Sequence, residues 1–285
     1  MPMPARPAWR RLQLGLATLF GAAPKGWFIP YRHAASLPAP GARRPYAIAE
    51  SLFRDAEGRF RLTLAAIERH GADLAAIENA APAPAPRWHQ DWFPRLDAAA
   101  LYALVRERRP ARVVEIGCGH STRFLMRAIR DGGLATEVTA IDPKPRADFK
   151  DLPLRWIAEP LHAAPVAPFA RLRAGDMLFV DSSHILMPGS DVDHILGQIL
   201  PMLPAGTLIH FHDIFLPDDY PESWAWRGYN EQLGVLALLQ GGGFAPIFAS
   251  HYVATRMAAE LRAGIIGGLP LAMGGIESSL WLEKR

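Results

Sequence analysis

The sequence predicts an α/β fold, a doubly wound and mostly parallel sheet, preceded by an N-terminal helical extension. From residue 96 onward, short apolar runs alternate with segments of helical period, the pattern of strands joined by crossover helices. One such run, residues 112–116, feeds a turn of small residues at Gly117, Gly119 and Ser121. Glycine there lets backbone come close to a ligand, because no Cβ stands in the way. Polar residues also recur at or near the ends of the apolar runs, at Glu115, Asp142, Asp181 and His212. In open α/β sheets ligands bind beyond that edge, where the strand order reverses.

The elements follow in order. Residues 46–79 have helical spacing, with Leu62, Leu64, Ala65, Ile67, Leu74 and Ile77 as inward candidates. The Ala-Pro repeat at 81–86 stops any helix and reads as a stiff, extended linker. The expected division is therefore an extension at 1–87 and a catalytic-type domain at 88–285. Within the latter, helices are expected at 96–108, 121–131, 190–202 and 229–240. Strands are expected at 112–116, 137–142, 154–158, 176–181 and 207–212, with two late strand-like pieces at 245–250 and 279–283. No internal repeat is visible.

The totals bound the function. The chain has 285 residues, 50% of them hydrophobic and 21% charged, which predicts a packed core and excludes wholesale disorder. A formal net charge of +3 is too small to argue for nucleic acid. The charge is uneven: the first fifty residues carry Arg6, Arg10, Arg11, Lys25, Arg32, Arg43 and Arg44 against Glu50 alone. Such a leader is either a solvated basic tail or a surface for an anionic partner. The one cysteine, Cys118, excludes an intrachain disulfide, and no apolar run is long enough for a transmembrane helix. Arg10-Arg11 ahead of residues 12–23 imitates a signal peptide, but Gln13 and small residues interrupt the apolar stretch. A cytoplasmic location is the expectation.

The glycine turn discriminates among cofactors. A dinucleotide fingerprint wants a third glycine where Thr122 stands, and no phosphate-loop lysine follows. A nucleoside cofactor without a pyrophosphate remains. Asp142, 25 residues after Gly117, supplies an acceptor-only group suited to a ribose diol. The segments Val-Val-Glu-Ile-Gly-Cys-Gly-His-Ser-Thr, Ala-Ile-Asp142-Pro, Leu-Phe-Val-Asp181-Ser-Ser-His184 and Gly206-Thr-Leu-Ile-His-Phe-His-Asp213 together resemble the class I S-adenosylmethionine-dependent methyltransferases. They are most similar to the branch called methyltransferase family 24. The resemblance covers about residues 88–285 and extends less specifically to Gly26-Trp-Phe-Ile-Pro-Tyr-Arg. It implies a seven-stranded, Rossmann-like sheet with an antiparallel last strand, and S-adenosylmethionine as cofactor. It also implies that Glu115, Gly117, Gly119 and Ser121 shape the amino-acid pocket while Asp142 holds the ribose. Cys118, between the glycines, and Asp181, at a neighbouring strand end, complete the candidate cofactor-binding set.

Methyl transfer to a hydroxyl needs alignment and a destination for the proton. Asp181, His184 and His212 are the candidate catalytic residues, with a histidine as the metal-free base. Related catechol-type enzymes hold a divalent metal with acids at the two matching strand ends. Here the corresponding set is Asp181, His212 and Asp213, in which imidazole favours a transition metal. His210, deeper on the same strand, reads as a core histidine. The segments 88–93 and 218–227, rich in tryptophan and carboxylates, are equally readable as acceptor platforms or as packing. The expected function is O-methylation of a small molecule or saccharide, with an oligomer left open. The competing readings are a metal-dependent hydrolase built on His210, His212 and Asp213, and a non-catalytic cofactor-binding protein.

Overall fold

A computed structural model of the chain describes all residues except 1–5, 22–24, 28 and 40. Phe28 of the Gly-Trp-Phe-Ile-Pro motif and the end of the signal-like stretch therefore lie outside the described residues. The chain forms two compact units, one of residues 1–44 with 219–229 and a larger one of residues 45–218 with 230–285. The smaller unit holds α1 (Arg6–Leu19) and two 3-10 turns, Ala34–Ser36 and Glu222–Arg227.

In the larger unit the helices are α2 (Ala47–Arg69), α3 (Gly71–Ala75), α4 (Arg95–Arg108), α5 (His120–Asp131) and the short α6 (Ala167–Ala170). After these come α7 (Asp191–His194), α8 (Leu200–Met202), α9 (Glu231–Gln240), α10 (Ser250–Arg256) and α11 (Ala258–Ala263). A π-helical segment, Ile195–Ile199, joins α7 to α8. The strands are β1 (Arg112–Ile116), β2 (Glu137–Ile141), β3 (Arg155–Ile157), β4 (Met177–Val180), β5 (Leu208–Phe211), β6 (Phe244–Ala249) and β7 (Leu280–Lys284).

These strands form one seven-stranded sheet in the order β3-β2-β1-β4-β5-β7-β6. All neighbouring pairs are parallel except those involving β7, which runs antiparallel to both β5 and β6. This is the doubly wound, Rossmann-like architecture that the alternation of runs predicts. Strands β4 and β5 are buried at every position, as parallel strands covered on both faces must be. The order reverses between β1 and β4, so the carboxyl ends of these two strands define the crevice.

Two expectations need correction. The inward stripe of α2 is Ala49, Phe53, Ala56, Phe60, Thr63, Ala66 and Ile67. Leu62 and Ala65 are exposed, because Leu62 stands about half a turn from the phase that Phe53 and Phe60 set. The division at residue 87 also differs from the packing, since the larger unit begins at Pro45. Helix α2 packs on β6 and α4. Phe60 meets Phe248 and Tyr252 edge-on, which ties this helix to the sheet rather than to a separate extension.

Candidate functional site

Gly117 opens the turn after β1 at φ 77°, a conformation natural to glycine alone. A Cβ at this position would lie 1.9 Å from the Asp181 carbonyl oxygen, so glycine is also what lets the end of β4 approach. The Asp181 N–H donates to the Ile116 carbonyl at 2.8 Å and closes that junction. At Gly119 the nearest atom to a Cβ would be 4.0 Å away, so the turn leaves open space there.

Two acids secure the turn from opposite sides. Glu115 is fully buried, and its two oxygens accept from the Ser121 and Thr122 hydroxyls at 2.7 Å each. Burial pushes its pKa up to about 8; the two hydroxyls oppose this, and the Asp181 and Asp142 charges add to it. Thr122 also accepts the Gly119 N–H at 3.0 Å, capping α5. The residue that broke the dinucleotide fingerprint is thus a structural link between strand, turn and helix. Asp142 stands at the outer edge, where Oδ2 accepts the Cys118 N–H at 2.8 Å and Oδ1 accepts the Lys144 N–H at 2.7 Å. Each of its oxygens keeps a second acceptor direction, the chemistry that a ribose diol needs. The room above Gly119 and this half-buried carboxylate fit a nucleoside.

At the ends of β4 and β5 a second cluster forms. His184 Nε2 lies 3.3 Å from Asp181 Oδ1 and 3.3 Å from Asp213 Oδ2, while Nδ1 is 2.9 Å from Glu231 Oε2. His212 Nδ1 lies 3.6 Å from Asp181 and 3.5 Å from Asp213, and its Nε2 is 3.5 Å from Asp97. Burial alone would strip protons from both imidazoles, but the surrounding carboxylates outweigh it and hold both pKa values well above the ordinary histidine value. Burial likewise opposes ionisation of Asp181, yet its contacts with His184 and His212 keep the carboxyl well below its usual range. Of this cluster Asp181 is the open member, its side chain 30% exposed.

Sequence reasoning missed Asp97, Glu231 and Ser278. Asp97, on α4, is fully buried and accepts the backbone N–H groups of Ser278 and Ser279. Glu231 opens α9 and also accepts the Ser182 hydroxyl at 2.9 Å. The N–H groups of Asn230 and Glu231 donate to the His184 carbonyl, which holds that residue at φ 61°. The Ser278 hydroxyl donates to Asp213 at 3.1 Å. The helix at 229–240 was legible, but not that its first turn clasps the loop after β4.

The remaining candidates separate. His210 is a core residue, stacked 3.8 Å from Phe179 and bonded to Ser279 at 2.8 Å. Burial and the neighbouring His212 hold its pKa well below the ordinary value. Among the described residues no carboxylate lies within ion-pair distance of its ring, so His210 does not join His212 and Asp213 as the hydrolase reading requires. Cys118 is buried, and burial raises its thiol pKa far above the range of a nucleophile. Trp88 packs into the core against Phe124, whereas Trp92 is exposed beneath the Arg146 guanidinium. In the smaller unit Arg227 lies 3.9 Å over the Trp224 ring.

Asp181, His212 and Asp213 do come together, but as a set they do not fit a metal. The His184 ring stands between the two carboxylates, in the place of a cation they would share. Among the described residues no group of three or more His, Cys, Asp or Glu side chains is arranged to hold an ion.

Residues 114–214 match the family model of a methyltransferase domain, family 24. No curated protein matches the chain. Among solved structures the chain is similar to the S-adenosylhomocysteine-bound methyltransferase PaMTH1 of Podospora anserina, at 14% identity and a TM-score of 0.40, covering 91% of this chain and 99% of that one. It is also similar to the O-methyltransferase TomG of Streptomyces achromogenes, solved with S-adenosylmethionine (14%, TM-score 0.38, covering 78% and 89%). A third is an O-methyltransferase of Bacillus cereus in complex with S-adenosylhomocysteine (11%, TM-score 0.39, covering 78% and 90%).

Proposed function

We propose that this chain, which carries a class I S-adenosylmethionine-dependent methyltransferase domain, methylates a hydroxyl group of a small molecule or saccharide. The observation that carries the reading is the bond from the Cys118 N–H to Asp142. It joins an acid of ribose-binding type to the glycine turn at the switch point, beside the open carboxylate of Asp181. The bound donor supplies an electrophilic methyl group on a sulfonium.

In this reading the glycine turn and Asp142 hold the donor, with Cys118 and Gly119 contributing backbone and Glu115 and Ser121 fixing the turn from behind. Asp181 receives the acceptor hydroxyl as a hydrogen bond and aligns its oxygen. With the donor bound, its carbon–sulfur bond would break, leaving the electron pair on sulfur, as the acceptor's oxygen–carbon bond forms; the hydroxyl then becomes acidic enough for even a low-pKa carboxylate such as Asp181 to take its proton and pass it to solvent. His184 and His212 are held protonated, so they act as positioning residues that keep Asp181 ionised and oriented rather than as free bases. No step needs a metal. A cytoplasmic setting belongs to the same reading; no described helix is long and apolar enough to cross a membrane.

The test is turnover. Metal-stripped protein, kept in chelator, is supplied with S-adenosylmethionine and a panel of phenols, hydroxylated small molecules and saccharides, and S-adenosylhomocysteine release is measured. Acceptor-dependent release is expected, falling roughly a hundredfold or more in Asp181→Asn. Release that stops in chelator and returns with a divalent ion contradicts the metal-free mechanism; none with any hydroxyl acceptor contradicts the proposed chemistry.

A further inference from the structure

The first helix is amphipathic, and its apolar side has no use in the site just described. At about 100° per residue, Trp9, Leu12, Leu16, Leu19 and the following Phe20 fall within about 100° of arc. All five are exposed, from 43% at Leu16 to 82% at Phe20. Arg6 occupies a position flanking this arc, and Arg10, Arg11 and Thr18 lie across from it. The Thr18 hydroxyl donates to the Leu14 carbonyl and accepts the Lys25 N–H, so this polar side is satisfied within its own backbone. Past the helix the pattern continues with exposed Trp27, Ile29 and Tyr31 interleaved with Lys25 and Arg32. No acidic residue precedes Glu50.

We propose that α1 docks this chain onto an anionic lipid bilayer, lying in the plane of the interface. The helix has 14 residues and so is about 21 Å long, too short to span the hydrocarbon. An apolar arc of tryptophan, leucine and phenylalanine beside arginines is the composition that sinks one face to the level of the acyl chains while cations meet the headgroups. Seven cations precede the first acid of the sequence, Glu50, and although Arg43 pairs with Asp219 at 2.7 Å, the remaining excess selects anionic lipid through charge complementarity. A nucleic acid would satisfy those cations but leave the apolar arc in water.

The test is sedimentation of the full chain with large unilamellar vesicles. One set is phosphatidylcholine alone, and the other contains about 30 mol% phosphatidylglycerol. Binding is expected to be roughly tenfold or more tighter to the anionic vesicles and to weaken as salt rises. The double variant Leu12→Ser with Leu16→Ser is expected to lose roughly tenfold or more of that binding while S-adenosylmethionine affinity and the melting temperature stay at the wild-type values. Wild-type protein that stays in the supernatant with anionic vesicles overturns the proposal. So does a variant that pellets as well as wild type, or one whose only change is the loss of a dimer by light scattering, since the arc would then serve a second copy.

Discussion

Glu115 is fully buried under the turn, and the folded protein therefore holds its proton to about pH 8, against an ordinary value of 4.5. Between those values the folded chain retains a proton that the unfolded chain has released. The contribution to stability is complete below about pH 4.5 and is lost as pH climbs through 8, a change on the order of a few kcal/mol. Glu115→Gln removes the titration while keeping a partner for Ser121 and Thr122. Its melting temperature is expected to be flatter than wild type between pH 5 and 9, as followed by circular dichroism; parallel curves for the two proteins contradict this account. Glu115, Gly117 and Asp142 were legible because strand end, turn and acid lie close in sequence. Asp97 was not: it meets Ser278 across 181 positions, and no local pattern records a contact that only the closed sheet creates.

At the scale of elements, alternation of apolar runs was enough to place the strands; the central β4 and β5, covered on both faces, leave the most compact and recognisable runs. Helix α2 was harder. Apolar residues occur on several of its sides, and the buried one is decided by Phe248 and Tyr252 far along the chain. The Ala-Pro run suggested a boundary that the packing does not follow, since stiffness in a connection says nothing about what the preceding helix covers. A chain beginning at residue 88 loses Phe53, Phe60 and Ile67, all fully buried. Loss of a large core side chain costs about 2–5 kcal/mol, so three together reach the whole stability of an ordinary domain. That chain is expected to show no cooperative thermal transition, whereas one beginning at Pro45 melts cooperatively and still binds the donor. Cooperative melting of the shorter chain would show that α2 is dispensable.

For the molecule as a whole, charge and chemistry fall in different places. The cations of the first fifty residues lie in a segment with its own amphipathic helix, while the buried acids and imidazoles cluster at the carboxyl ends of β4 and β5. His184 is the residue that changes the reading most. Strand ends that resembled a metal site contain an imidazole between the two carboxylates, and a sequence cannot show which ring fills a gap between two strand ends and the start of α9. What survives independently of acceptor and metal is the claim that the turn at 117–121 and Asp142 bind S-adenosylmethionine. Isothermal titration tests it most directly, with wild type, Asp142→Asn and Asp142→Ala compared under conditions where all three melt normally. The account predicts saturable binding by wild type and affinity weakened by roughly ten- to a hundredfold in the alanine variant, with asparagine between the two. Absence of binding by wild type at high micromolar donor, or unchanged affinity in both folded variants, would contradict it.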